Sequence, residues 1–104
     1  MKTIKEDQPI RVMLADDHVL LRDALVNLIN GFENCRVCGV ADDGVQLLDW
    51  LKNQPAPDVL ILDLNMPRMD GFELARTIRA SEPWHALPII TITSRMAEKH
   101  REHA

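Results

Sequence analysis

Residues Asp58–Asp63 read DVLILD, four consecutive aliphatic residues closed at each end by an aspartate. A strand with water on one face alternates apolar and polar residues. An unbroken apolar run of this length therefore belongs to a strand covered on both faces, the situation of a parallel sheet flanked by helices. The rest of the chain fits that frame. Ile10–Ala15 (IRVMLA) is a second compact run, stopping abruptly at Asp16-Asp17, and Arg36–Ala41 and Ile89–Thr93 (IITIT) are two more. Between these runs the apolar period lengthens to that of a helix. His18–Ile29 sets Leu21, Ala24, Leu25, Leu28 and Ile29 inward with Arg22, Asp23 and Asn27 outside, and Asn30-Gly31 ends it with a left-handed cap. Val45–Leu51 follows the Asp42-Asp43-Gly44 turn with Leu47, Leu48 and Leu51 inward, and Asn53–Pro57 ends it. Phe72–Ala80 places Leu74, Ala75 and Ile78 inward and stops at Ser81-Glu82-Pro83. Ser94 caps a polar helix, Arg95–Ala104. The order βαβαβαβα predicts an α/β fold with a doubly wound parallel sheet.

Length and charge narrow the function classes. The 104 residues allow one domain with a core that needs no disulfide or metal staple. With 12 basic against 16 acidic residues, the net charge of −4 offers no broad surface for nucleic acid. The longest apolar runs, Val12–Ala15 and Val59–Leu62, have four residues, against the ~20 of a membrane span. Met1–Gln8 is charged and lacks a secretory signal's apolar stretch, so a cytoplasmic location is expected. Cys35 and Cys38 form a C-x-x-C, but it falls in a strand and has no second pair to complete a zinc site, so both are read as small apolar residues. Trp50 is expected to pack at the end of the second helix. Trp84 lies in a loop, where local packing is preferred over a surface contact. His18 is read as a helix start. His100 and His103, with the Arg95, Lys99 and Arg101 stripe, are read as a solvated face.

The carboxyl ends of parallel strands are where such sheets bind ligands, and here those ends are acidic. Asp16 and Asp17 leave the first strand, and Asp63 leaves the third. If those strands are neighbours, three carboxylates meet at one edge. Two unit charges ~4 Å apart repel by roughly 4 kcal/mol at an effective dielectric near 20, so either one acid protonates or a cation joins them. Three oxygen donors completed by waters suit octahedral Mg²⁺. Thr93, ending the fourth strand, adds a hydroxyl at the same edge. The residues alone also admit plain helix caps and turn aspartates.

At these positions the chain resembles the receiver domain of bacterial two-component response regulators. The matching pieces are ADDH (Ala15–His18), PDVLILDLNMPRMDGFELARTIR (Pro57–Arg79) and LPIITITS (Leu87–Ser94), and the resemblance covers residues 10 to 104 after an extension at 1–9. It implies a flavodoxin-like fold with strand order 2-1-3-4 and the phosphoryl group of a sensor histidine kinase accepted on Asp63. It also implies Mg²⁺ held by Asp16, Asp17, Asp63 and the backbone carbonyl of Asn65, with Thr93 as the switch hydroxyl and Pro67 and Gly71 shaping the loop over the site. In the family a fifth strand ending in a lysine and a fifth helix follow. This sequence ends at Ala104 without them, and Lys99 is no positional substitute. The expectation is a receiver lacking its fifth strand and helix, with Ile89, Ile90 and Ile92 at an open edge. Self-association through the fourth strand and Arg95–Ala104 would cover that edge. The sequence also resembles two kinds of receiver at once. ADDHVLLRDAL is like those preceding helix-turn-helix domains, and MPRMDGFELA and ITSRMAEKHREHA are like those joined to chemotaxis-type kinases. A truncated receiver acting as an interaction module is the alternative. A Mg²⁺-dependent phosphatase acting through Asp63 is a third reading, disfavoured because its dehalogenase-type members carry an acid where Asn65 stands.

Overall fold

The strand assignments follow from where the apolar runs can be covered. A computed structural model describes residues 8–66 and 71–93. In chain order the elements are β1 (Ile10–Ala15), α1 (Val19–Asn30), β2 (Cys35–Ala41), α2 (Gly44–Asn53), β3 (Val59–Asp63), α3 (Gly71–Ala80), a single 3₁₀ turn at Glu82–Trp84, and β4 (Ile89–Ile92). The strands form one parallel sheet in the order β2-β1-β3-β4. The chain steps from β1 outward to β2 and then back across to β3, so strand order reverses between β1 and β3. That reversal opens the crevice where α/β sheets place their ligands.

One face of the sheet carries the main core. Met13 and Ala15 of β1 and Leu60 and Leu62 of β3 are fully buried with Leu47 and Leu51 of α2 and Leu74 and Ile78 of α3. Trp84 joins this cluster, which settles it as a packing residue. Trp50 packs against the cluster as well, and Gly39 makes room for it. A Cβ at Gly39 would lie 2.6 Å from Trp50 Nε1 and 2.9 Å from Met13 Sδ. The β1–β2 register slips between Val12 and Met13, so that Val12 pairs with Val37 and Met13 with Gly39. Cys38 is the extra residue of this bulge. Both cysteines are free and half-buried, and burial pushes the Cys38 thiol above its ordinary range, the opposite of a reactive redox cysteine.

Several local expectations need correction. Gly31 is right-handed (φ −77°). Helix α1 ends by a tightened turn in which Gly31 N–H donates to Asn27 and Leu28 and Phe32 N–H donates to Ile29. The Asn30 side chain meanwhile accepts from Val37 N–H at 2.8 Å, tying the helix end to β2. Ala24 and Leu28 are exposed rather than inward. The buried arc of α1 runs through Leu21, Leu25 and Ile29 and brings Arg22, expected outside, to an ion pair with Asp42. Of the three β4 isoleucines only Ile90 is exposed, at 54%. Alternation turns Ile89 to the opposite face, where it packs against the core. Pro67 and the Arg95–Ala104 segment lie outside the described residues.

Candidate functional site

Backbone pairing carries the register of the sheet past the strand ends. Ala15 pairs with Leu62, Asp16 N–H donates to Ala41 at 3.0 Å, and Leu64 N–H donates to Ile92 at 2.9 Å. The residues after β1 and at the end of β3 are thereby set side by side. Carboxylate oxygens of Asp16, Asp17 and Asp63 all lie within 4.8 Å of one another. Asp16 and Asp63 are fully buried and Asp17 is half-buried.

The local hydrogen bonds fix the carboxylates without discharging them. Asp16 Oδ1 accepts His18 N–H at 2.8 Å, which opens α1, since the His18 side chain makes no capping bond. Asp16 Oδ2 is buried with no hydrogen-bond partner. Asp63 Oδ1 accepts Asn65 N–H at 3.0 Å. Burial pushes the Asp16 carboxyl up from 3.8 to about 6, with smaller contributions from the hydrogen bond and charge of Asp63 and the charge of Asp17; the His18 N–H works against them. Crowded, buried carboxylates with an unused oxygen are costly. An oxygen-only donor set of this kind fits a hard divalent cation.

The rim of the site comes from three further elements. Asp43 caps α2 by accepting Gln46 N–H at 2.8 Å, and Gln46 Oε1 accepts Asp42 N–H at 2.9 Å in return, a reciprocal arrangement close to a capping box. Arg22 pairs with the Asp42 carboxylate and approaches the Asp16 carbonyl at 3.5 Å. Its place beside the site was hidden in the sequence, where it sits on the polar side of an amphipathic pattern. Thr93 follows β4 half-buried, and its hydroxyl accepts from the Asn65 side-chain amide. His18 is exposed, with its backbone rather than its ring engaged.

A doubly wound parallel sheet with its acidic cluster at the reversal of strand order defines a flavodoxin-like α/β protein. The family model described as the response regulator receiver domain matches residues 12–104, and the chain belongs to that family. It is 42% identical over 87 residues to protein-glutamate methylesterase/protein-glutamine glutaminase 6 of Anaeromyxobacter dehalogenans, covering 83% of this chain and 23% of that protein. It is thus similar to about a quarter of the length of such relatives. Among solved structures it is similar to a response regulator receiver protein from Pseudomonas putida, at 30% identity and TM-score 0.75, covering 95% of this chain and 79% of that one. The response regulator domain of Thermotoga maritima CheB matches at 28% identity and TM-score 0.70, over 84% and 62% of the two chains. Among the described residues no helix is long and apolar enough to cross a membrane.

Proposed function

We propose that this receiver works in the cytoplasm and takes a phosphoryl group onto Asp63 from the phosphohistidine of a sensor histidine kinase, or from a small acyl phosphate. The observation that carries the reading is the meeting of three carboxylates within 4.8 Å at the strand reversal. An Asp63 carboxylate oxygen attacks phosphorus, forming the new O–P bond as the P–N bond of phosphohistidine breaks, and the imidazole leaves with that electron pair. Asn65 N–H on Oδ1 holds the carboxylate in place for the attack. Asp16 and Asp17, with Asp63 and the Asn65 carbonyl, would hold Mg²⁺. When bound, the ion neutralises charge that develops on the transferring oxygens. Thr93 would hydrogen-bond the arriving phosphoryl group, which adds about −1.5 to −2 charge.

Incubation of the chain with Mg²⁺ and acetyl phosphate, followed by mass spectrometry, tests this reading. One phosphoryl group, removed by hydroxylamine, is expected on the wild type and none on Asp63→Ala. Labelling that persists in the variant would remove Asp63 from the role. A second reading, that the chain acts as an interaction module without a full phosphorylation switch and self-associates, draws on β4. It is one of the two edge strands among the described residues and carries the exposed Ile90, a combination that invites pairing. Light scattering at micromolar concentration separates a dimer from a monomer.

A further inference from the structure

Asp16 and Asp63 are each steadied by a backbone N–H two residues on, at 2.8 Å and 3.0 Å. Asp17 lies on the corner between β1 and α1, half-buried, with a carboxylate oxygen within 4.8 Å of the other two acids. A peptide unit is planar, so whatever holds the Asp16 carbonyl oxygen also sets the direction of the bond leading into Asp17.

Arg22 reaches that oxygen. It sits in the first turn of α1, where its backbone N–H donates to His18 at 2.8 Å. Its side chain is only 15% exposed, against 56% for Asp42, so the guanidinium lies within the rim and not out in the solvent. One terminal nitrogen, Nη1, donates to the Asp42 carboxylate and approaches the Asp16 carbonyl at 3.5 Å. Asp42 is itself tied down, because its backbone N–H donates to Gln46 Oε1 at 2.9 Å. The Asp16 N–H to Ala41 bond at 3.0 Å joins the ends of β1 and β2 directly below. Arg22 therefore links α1, the β1 corner and the turn into α2.

The charge of Arg22 and its geometry pull in opposite directions. A guanidinium beside an acidic cluster repels a divalent cation, so on charge alone its removal should favour metal binding. As a clamp on the corner, its removal should weaken binding.

We propose that Arg22 is a positioning residue for Asp17. It holds the Asp16–Asp17 peptide so that the Asp17 carboxylate stays turned toward Asp16 and Asp63, while Asp42 offsets its charge. The inference rests on the reading of the three acids as a Mg²⁺ site and adds a residue that touches neither the ion nor the phosphoryl group.

The test is a calorimetric Mg²⁺ titration of the full chain as wild type, Arg22→Met and the double variant Arg22→Met/Asp42→Ala, each first checked for a cooperative urea melt. Both variants should bind Mg²⁺ about tenfold more weakly, the lower end of what outer partners of metal ligands command. The double variant removes one charge of each sign, so its loss cannot be electrostatic. A rim charge with no positioning role predicts tighter binding in Arg22→Met and wild-type binding in the double variant. A role in stability alone predicts a lower urea midpoint with unchanged affinity. Either pattern would overturn the proposal. Arg22→Lys keeps the charge but drops the planar fork. It should bind severalfold more weakly than the wild type, and equal affinity would overturn the proposal even if the methionine variants do not fold. If the wild type takes up no Mg²⁺, the metal reading fails, and the Asp16 carbonyl ¹³C shift in metal-free protein still judges the clamp. That shift should move upfield in Arg22→Met or Arg22→Lys, and a shift that stays in place shows that Arg22 does not hold the oxygen.

Discussion

The two ends of the same sheet treat their polar groups in opposite ways. At the amino end, Arg11 N–H donates to Asp58 Oδ2 at 2.8 Å while Asp58 N–H donates back to Arg11 at 2.9 Å. The Arg11 guanidinium reaches the Ala56 carbonyl at 2.6 Å and the Pro55 carbonyl at 3.4 Å. The Asp58 carboxylate and the Arg11 guanidinium each find backbone partners, and the loop before β3 is pinned. At the carboxyl end, three acids are gathered, two of them fully buried, and Asp16 keeps an oxygen with no hydrogen bond. An arrangement that serves folding looks like the first end. The second is held together by the rest of the fold at some cost, which is the usual signature of a site that something else completes.

The contrast can be broken in three ways, taken from the largest effect downward. Asp17→Ala removes a proposed direct oxygen ligand, so Mg²⁺ affinity measured by titration should drop by more than the roughly 10–100-fold that outer partners of a metal typically command. Equal affinity in the wild type and the variant would break the account of the carboxyl end. The next effect concerns pH. In metal-free protein the Asp16 carboxyl titrates near 6 when folded and near 3.8 when unfolded. Between those values the folded state holds the extra proton, so the Asp16 contribution is fully present below pH 4 and is lost as pH rises through 6. Its size is about 1–3 kcal/mol. Denaturant melts in a chelator at pH 5 and pH 7 should show this loss, and Asp16→Asn should flatten it. The smallest effect belongs to the amino end. Arg11→Ala deletes exposed hydrogen bonds to two carbonyls and should cost about 0.5–1.5 kcal/mol, with Mg²⁺ affinity unchanged.

How much of this was legible in the sequence varies with the range of the interaction. DVLILD and IRVMLA announced their strands because continuous burial leaves few other solutions, and the aspartates ending them marked the site. The pairing of β1 with β3 makes that marking geometric by setting Ala15 against Leu62. Rotation about a helix axis was less legible. Arg22 and Leu28 exchanged their expected environments: Arg22 pairs with Asp42, twenty residues away, and Leu28 is left exposed. Gly31 invited a left-handed cap, but with Gly31 right-handed the Gly31 and Phe32 N–H groups already meet the last carbonyls of the helix. The Asn65–Thr93 contact was beyond reach, since both residues were visible singly and only the β3–β4 register brings them together.

Thermal melts of the wild type and Asp16→Asn at pH 7, each with and without Mg²⁺, test the central claim most directly. Without metal the variant should be the more stable by about 1–3 kcal/mol, since the amide relieves a buried charge and can donate to a neighbouring carboxylate. With Mg²⁺ at about one hundred times its dissociation constant, the wild type should gain roughly 2.7 kcal/mol while the variant gains much less, narrowing or reversing the order. If the wild type is the more stable without metal and Mg²⁺ shifts both proteins equally, the carboxyl end is an ordinary structural network and the account is wrong.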